Sequence, residues 1–246
     1  MFIEIKMIKK TKKYLKLKYN LISKNQVIEK KYNHLIDCLN ILKYYNLKNY
    51  LTYGPAVLLH DIGRFYEKKS VQKDFEHAKY GYDLLKKEYT DNPIILLPIK
   101  YHEEDLEWKK IISKDSEFLN CSRCKKQKII KGCSLVRDID IISNMKNLIF
   151  QETFNLKVDF INENIVEKLF SGQIGEKADI INQYDEISYI LCGLNLIENK
   201  QSLKYIKKHK IIECLKIKQL CMVSKNKHLY DITIQMYDFI KNKFKV

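Results

Sequence analysis

Apolar residues along the chain recur mainly at intervals of three and four. Leu35, Cys38, Leu39 and Leu42 form one such stripe, and Ile187, Ile190, Leu191 and Leu194 form another. This spacing puts one apolar face on a helix of about 3.6 residues per turn, and so predicts helices rather than strands. Local signals agree. Asp74 is placed to cap a helix through FEHAKYGYDLLKKEY, and Asn92-Pro93 opens PIILLPIKYHEE with proline in the first turn. Pro98, further into that segment, predicts a kink, or the end of one helix and the start of another. Residues 46–53 and 109–132 read as loops, the second closing at Gly132, after which SLVRDIDIISNMKNLIF starts a new helical run. Segments 161–170, 179–198, 202–216 and 228–244 carry the pattern to the end, with no internal repeat or low-complexity linker. The expected fold class is all-α.

Composition narrows the classes. With 46% hydrophobic residues, 17 Tyr and 10 Phe in 246 residues, the chain has the material for a real core. No stretch of about 18 uninterrupted apolar residues occurs, so no membrane span is expected. The opening MFIEIKMIKKTKKYLKLKYN interleaves lysines with single apolar residues and lacks a signal peptide's apolar centre. It reads as a solvated helix or strand rather than a membrane-surface element, and the expected location is cytoplasmic.

A formal charge of +15 raises nucleic acid as a partner. The lysines, however, are spread over the whole chain, and arginine occurs only at Arg64, Arg123 and Arg137. The chain is also heavy in Ile, Asn and Tyr, the bias of AT-rich coding, which accounts for much of the charge without a partner. Lys125, Lys126, Lys128 and Lys131 cluster without interleaved aromatic residues for base stacking. Nucleic acid therefore stands as a secondary partner class. Seven cysteines, an odd number, point to reduced thiols. Cys121, Cys124 and Cys133 offer three thiolates where a structural zinc site takes four donors, so a zinc loop and a plain cysteine-bearing loop both stand.

Candidate chemistry centres on AVLLHDIGRFY, where His60 and Asp61 interrupt an apolar run. Taken alone, the pair reads first as a satisfied polar pair, and the case for metal ligands rests on the residues that accompany it. His34, His77 and His102 lie on or beside other predicted helices, and Asp138 and Asp140 lie on a later one. Imidazole with carboxylate suits Mn, Fe, Co, Ni or Zn. No phosphate-binding glycine loop, nucleophile elbow or dinucleotide fingerprint competes.

The ordered set resembles the HD-domain superfamily of metal-dependent phosphohydrolases. LLHDIGRF resembles the HD box, FEHAKYGYDLL and IKYHEE the two histidine segments that follow, and RDIDIISNM the closing aspartate helix, with Ile139 where many members have alanine. The stretch YDEISYILCGLNLIENKQSLKYIKKHKIIECL is similar to the tail of a bacterial group of HD proteins of about this length. The resemblance implies an HD-domain helical bundle with additional C-terminal helices. The resemblance covers most of residues 30–215, and the expected division is a lysine-rich segment outside it (1–30), an HD core (31–150) and a C-terminal helical extension packed on that core (151–246).

By position, the resemblance implies His34, His60, Asp61 and Asp140 as metal ligands, with Asp138 as a supporting or alternative ligand. His77 and His102 would hold a second ion, although His102-Glu103 stands where many members have two histidines. One or two divalent transition-metal ions would activate a water, Asp61 would be the catalytic bridging carboxylate, and Arg64 and Lys100 would face the phosphate. The implied substrate is a small phosphate ester, a nucleotide first among them. A phosphodiesterase or nuclease acting on cyclic nucleotides or single-stranded nucleic acid is the second reading, and a non-catalytic ligand sensor the third. The intact ligand set weighs against the sensor.

Overall fold

The computed structural model describes residues 2–22, 26–67, 76–103, 107–150 and 157–246. Among the described residues the chain is all-helical, with thirteen α-helices, short 3₁₀ turns and no strand. It divides into two compact units, residues 1–140 and 141–246.

The first unit contains α1 (Phe2–Leu21), α2 (Gln26–Tyr45), α3 (Leu47–Leu59), a 3₁₀ turn (Ile62–Tyr66), α4 (His77–Glu88), α5 (Pro93–Lys100), α6 (Trp108–Ile112), α7 (Ser116–Leu119) and the first part of α8 (Arg123–Phe150). Its centre is α3, in which Leu51 and every residue from Tyr53 to Leu59 are buried. A helix apolar all round belongs inside a core, and α1, α2 and α5 all pack on it. α2 contributes the face carrying Ile28, Leu35, Cys38, Leu39, Leu42 and Tyr45, the helical stripe expected from its spacing. α1 buries Ile8, Thr11 and Leu15 and exposes the lysines between them, so its lysine-rich sequence is that of a one-sided amphipathic helix.

Two expected loops are helical. Residues 46–53 are the cap and first half of α3: the Asn46 side chain accepts the Asn49 N–H at 2.7 Å, and the polar first turn then runs into the buried stretch. Residues 109–132 hold α6, α7 and the start of α8. Asp115 caps α7 by accepting the Glu117 and Phe118 amides, and buried Trp108, Ile112 and Phe118 anchor the short helices. Gly132 does not break α8. A Cβ there would lie 2.9 Å from Pro98 Cγ and 3.2 Å from the Tyr53 ring, so the glycine lets α8 approach α3 and α5 closely. Pro98 sits inside α5, which ends two residues later at Lys100 without a second helix beginning there. Asp74 lies outside the described residues; α4 begins at His77 with Glu76 before it and no side-chain cap.

The second unit holds the end of α8, then α9 (Glu163–Ser171), α10 (Gln183–Cys192), α11 (Lys200–Lys208), α12 (Ile211–Met222) and α13 (Lys227–Phe244). Asn162, Asn182, Asn199 and Asn226 cap α9, α10, α11 and α13, each accepting a backbone N–H. The Asn182 cap is what divides the expected 179–198 segment. The 202–216 segment divides at Lys210, whose φ of 50° is left-handed. The core joins α10, α12 and α13 through a buried polar network. Gln219 donates to Ser188 Oγ and to the Tyr184 carbonyl, both at 2.9 Å, and accepts the Tyr237 hydroxyl at 2.5 Å.

Candidate metal centre

The chain turns sharply just after α3, and that turn positions the His60–Asp61 pair. His60 is the C-cap of α3 in helical conformation, while Asp61, at φ −99° and ψ 16°, starts the 3₁₀ turn. The pair therefore lies at a helix end and not within a helix. Fully buried His60 donates its Nδ1–H to the Val57 carbonyl at 2.8 Å, which directs Nε2 away from the helix. His102, one residue past the C-cap of α5, repeats the device: its Nδ1–H donates to the Ile99 carbonyl at 2.7 Å. A carbonyl only accepts, so in both neutral rings the proton is on Nδ1 and the lone pair on Nε2.

Among the described residues, three overlapping groups of ligand-type side chains bring their donor atoms within 4.8 Å of one another: His34, Cys38, His60 and Asp140; His60, Asp61 and His102; and His77, His102 and Glu103. In the first, His34 comes from α2 and Asp140 from α8, and Asp140 Oδ1 lies 2.9 Å from His34 Nε2 and 3.5 Å from His60 Nε2. Around Asp61, His77 Nε2 stands 2.9 Å and His102 Nε2 3.3 Å from Oδ1, and the two nitrogens are 3.2 Å apart. The rings run on in a chain, His34 to His60 to His102 to His77, with centroids 5.0–5.4 Å apart.

The residues around the rings hold them in place. His77 Nδ1–H donates to Glu103 at 2.9 Å, and Arg64 donates to Asp61, Glu67 and Glu103 at 3.2, 3.4 and 3.1 Å. Gly63 sets the approach of α4. A Cβ on it would lie 2.0 Å from the His77 carbonyl oxygen, so the 3₁₀ turn and the first residue of α4 touch backbone to backbone. Gly63→Ala must push α4 away and carry His77 from Asp61. We expect a lower melting temperature, equivalent to about 1–3 kcal/mol, and weaker metal retention. Thermal unfolding and metal analysis unchanged from wild type would contradict this placement.

These donor atoms fit a divalent ion. Ligands at about 2.1 Å from one ion lie about 3.0–3.4 Å from each other in octahedral or tetrahedral arrangements, and the nitrogen and oxygen pairs here stand within 0.1 Å of that range, at 2.9–3.5 Å. His60 Nε2 is buried with no hydrogen-bond partner, an orphan that a cation would satisfy. The His77 and His102 nitrogens also converge on one carboxylate oxygen, which requires a proton or a metal between them.

Without metal, protons serve that role. Burial raises the Asp61 carboxyl and the Asp140 carboxyl, but the imidazoles beside them, His102 and His77 at Asp61 and His34 and His60 at Asp140, hold both well below the usual range. Burial opposes the His60 imidazolium, yet Asp140 and Asp61 lift it to about 9. At His34 burial is likewise outweighed, by Cys38 and Asp140, which push it up to about 11. Carboxylates that stay ionised at neutral pH are the form a cation needs.

The structure thus brings His34, His60, Asp61, Asp140, His77 and His102 into contiguous groups, with Arg64 at their edge. Asp138 is fully buried and belongs to none of these groups: two residues before Asp140 on α8, it is turned about 200° away. Lys100 is engaged elsewhere, with Asp115 Oδ2 at 2.6 Å and the Tyr82 and Tyr101 rings at 5.1 Å, so its role is to hold the Asp115 cap of α7. Cys121, Cys124 and Cys133 form no metal group among the described residues. Cys124 and Cys133 lie on the continuous helix α8, nine residues and about 13 Å of rise apart, too far to share an ion. Cys38 was legible only as an apolar position of α2, although its i+4 spacing from His34 was a usable signal.

Residues 32–145 match the family model described as HD domain. Searches of the curated proteins and of the solved structures found no match. The matched span runs from just before His34 to just after Asp140, and together with the all-helical fold it supports an HD-domain superfamily protein.

Proposed function

We propose that this chain is a metal-dependent phosphohydrolase that cleaves a small phosphate ester, with nucleotides the first class to test. The observation that carries the reading is the convergence of the His77 and His102 Nε2 atoms on Asp61 Oδ1, beside the orphaned Nε2 of buried His60. His34, His60 and Asp140 would hold one ion, and Asp61, His77 and His102 the other. A divalent ion in such a site supplies Lewis acidity and an activated water at neutral pH.

The chain's own groups do the rest. Asp61, ionised between the His77 and His102 imidazoles, fixes the negative charge of their group. Glu103 holds His77 in the tautomer that leaves Nε2 free, and the carbonyls of Val57 and Ile99 do the same for His60 and His102. Arg64 keeps its guanidinium at the edge of the groups against Asp61, Glu67 and Glu103. A planar guanidinium can pair with a phosphate as it does with carboxylates, so Arg64 would bind the phosphoryl group and its developing charge.

The test is metal analysis of untagged protein, followed by a panel of nucleotides, cyclic dinucleotides and short oligonucleotides run beside Asp61→Ala. We expect metal-dependent phosphate release by wild type alone. Failure to bind any of Mn, Fe, Co, Ni and Zn would overturn the reading. Equal behaviour of wild type and variant on every compound would turn it into a ligand-binding role. Cleavage confined to cyclic dinucleotides or oligonucleotides would make the enzyme a phosphodiesterase or nuclease.

A further inference from the structure

We propose that Cys38 is a metal ligand, so that one of the two ions is held by a sulfur-bearing set of His34, Cys38, His60 and Asp140. The inference rests on the metal-centre reading above. Cys38 follows His34 by one helical turn on the buried face of α2, where i and i+4 side chains lie one above the other. Its Sγ is 3.6 Å from His34 Nε2. Two donors at about 2.3 Å for sulfur and about 2.0–2.1 Å for nitrogen, at a tetrahedral angle on one ion, stand about 3.6 Å apart.

An independent observation points to the same place. His60 Nε2 has no hydrogen-bond partner although the residue is fully buried, and it lies within the 4.8 Å that encloses Sγ, His34 Nε2 and Asp140 oxygen. A small packing residue at position 38 would account for the burial of Cys38. It would not account for an orphaned imidazole nitrogen among the same donors.

The consequence is selectivity. Two imidazoles, a carboxylate and a thiolate form a borderline-to-soft set, which favours Zn, Co or Fe over Mn or Mg. As the sulfur–metal bond forms, the thiol proton leaves to solvent, so the step needs no oxidant or reductant. Four protein donors also complete a tetrahedral shell. That leaves the Asp61, His77 and His102 group, with three donors, as the position open to substrate.

Cobalt substitution of the full metal-free chain tests the assignment without relying on activity. Wild type should show a near-ultraviolet sulfur-to-cobalt charge-transfer band together with visible ligand-field bands. Cys38→Ser should lose the first and keep the second, because His34, His60 and Asp140 remain. Its preference for Zn over Mn should fall about tenfold or more. Ligand-field bands without the charge-transfer band in wild type would overturn Cys38 as a ligand while leaving the metal centre intact. A charge-transfer band that persists in Cys38→Ser and Cys38→Ala would also overturn it, by moving the sulfur to another cysteine. Absence of any cobalt spectrum would overturn the centre itself. Should both variants fail to fold, X-ray absorption of zinc-loaded wild type decides: a sulfur neighbour at about 2.3 Å supports the proposal, and a shell of nitrogen and oxygen alone sinks it.

Discussion

Asp61→Asn should lower phosphate release by about 10²–10³-fold or more and remove about one equivalent of bound metal. Asparagine keeps the shape of the side chain and one acceptor oxygen, so the change isolates charge. In the native protein the Asp61 side chain is nearly buried and its Oδ1 faces His77, His102 and Arg64 at 2.9, 3.3 and 3.2 Å. Those neighbours keep it ionised, and that negative charge makes the cluster attractive to a cation. With a neutral amide, Arg64 and the imidazoles face one another across a site without their counter-ion. Breaking a buried charged cluster in this way costs about 3–5 kcal/mol, so the metal-free variant should also melt lower. Phosphate assays with elemental analysis make the check. A variant retaining more than about a tenth of the wild-type rate would remove Asp61 from the catalytic centre.

The second large effect concerns pH. The metal-free protein should lose stability as pH rises from about 6.5 through about 9, and further toward the still higher value of His34. Both histidines are raised above their unfolded value of 6.5. Their contribution is therefore complete below 6.5 and disappears as the folded-state protons leave. For His60 alone, a rise from 6.5 to about 9 corresponds to about 3 kcal/mol. Asp61 and Asp140 work in the opposite direction: their depressed values stabilise the fold above the ordinary carboxylate range and cease to do so in strong acid. The metal-free stability plateau should lie between about pH 4 and about pH 6.5. Metal binding needs the same histidines without their protons, so affinity should climb over the window in which the metal-free protein weakens. Melting curves of metal-free and zinc-loaded protein from about pH 5 to about pH 10 would show the two diverging; parallel curves would mean that these histidines do not share protons and metal.

The fold class could be read from periodicity because burial follows the stripe of α2 and, at Ile187 and Leu191, that of α10, and the order of His34, the His60–Asp61 pair and Asp140 drew attention to residues that the structure brings together. What escaped was tertiary. The polar first turn of α3 looks like a loop until Asn46 is seen capping it and Leu51 is seen buried. Gly132 looks like a helix breaker, yet it lies where Pro98 and Tyr53 press against α8. Lys100 stands two residues before His102 in sequence, but the end of α5 turns it to Asp115. Cys38 was hidden by its apolar character, since a buried thiol and a packing residue share one sequence pattern. None of these depends on residue type alone; each depends on what a distant segment places opposite.

The bonds from His60 to the Val57 carbonyl and from His102 to the Ile99 carbonyl have a thermodynamic consequence. Carbonyls in the last turn of a helix lack partners within the helix, so each bond both satisfies a helix end and aims a ligand. If the final turn of α3 or α5 frays, the imidazole it steers is released with it. Affinity for the ion is then linked to the local opening free energy of two helices. Asn46 and Asn92, which cap those helices at their far ends, become contributors to metal affinity without approaching the metal.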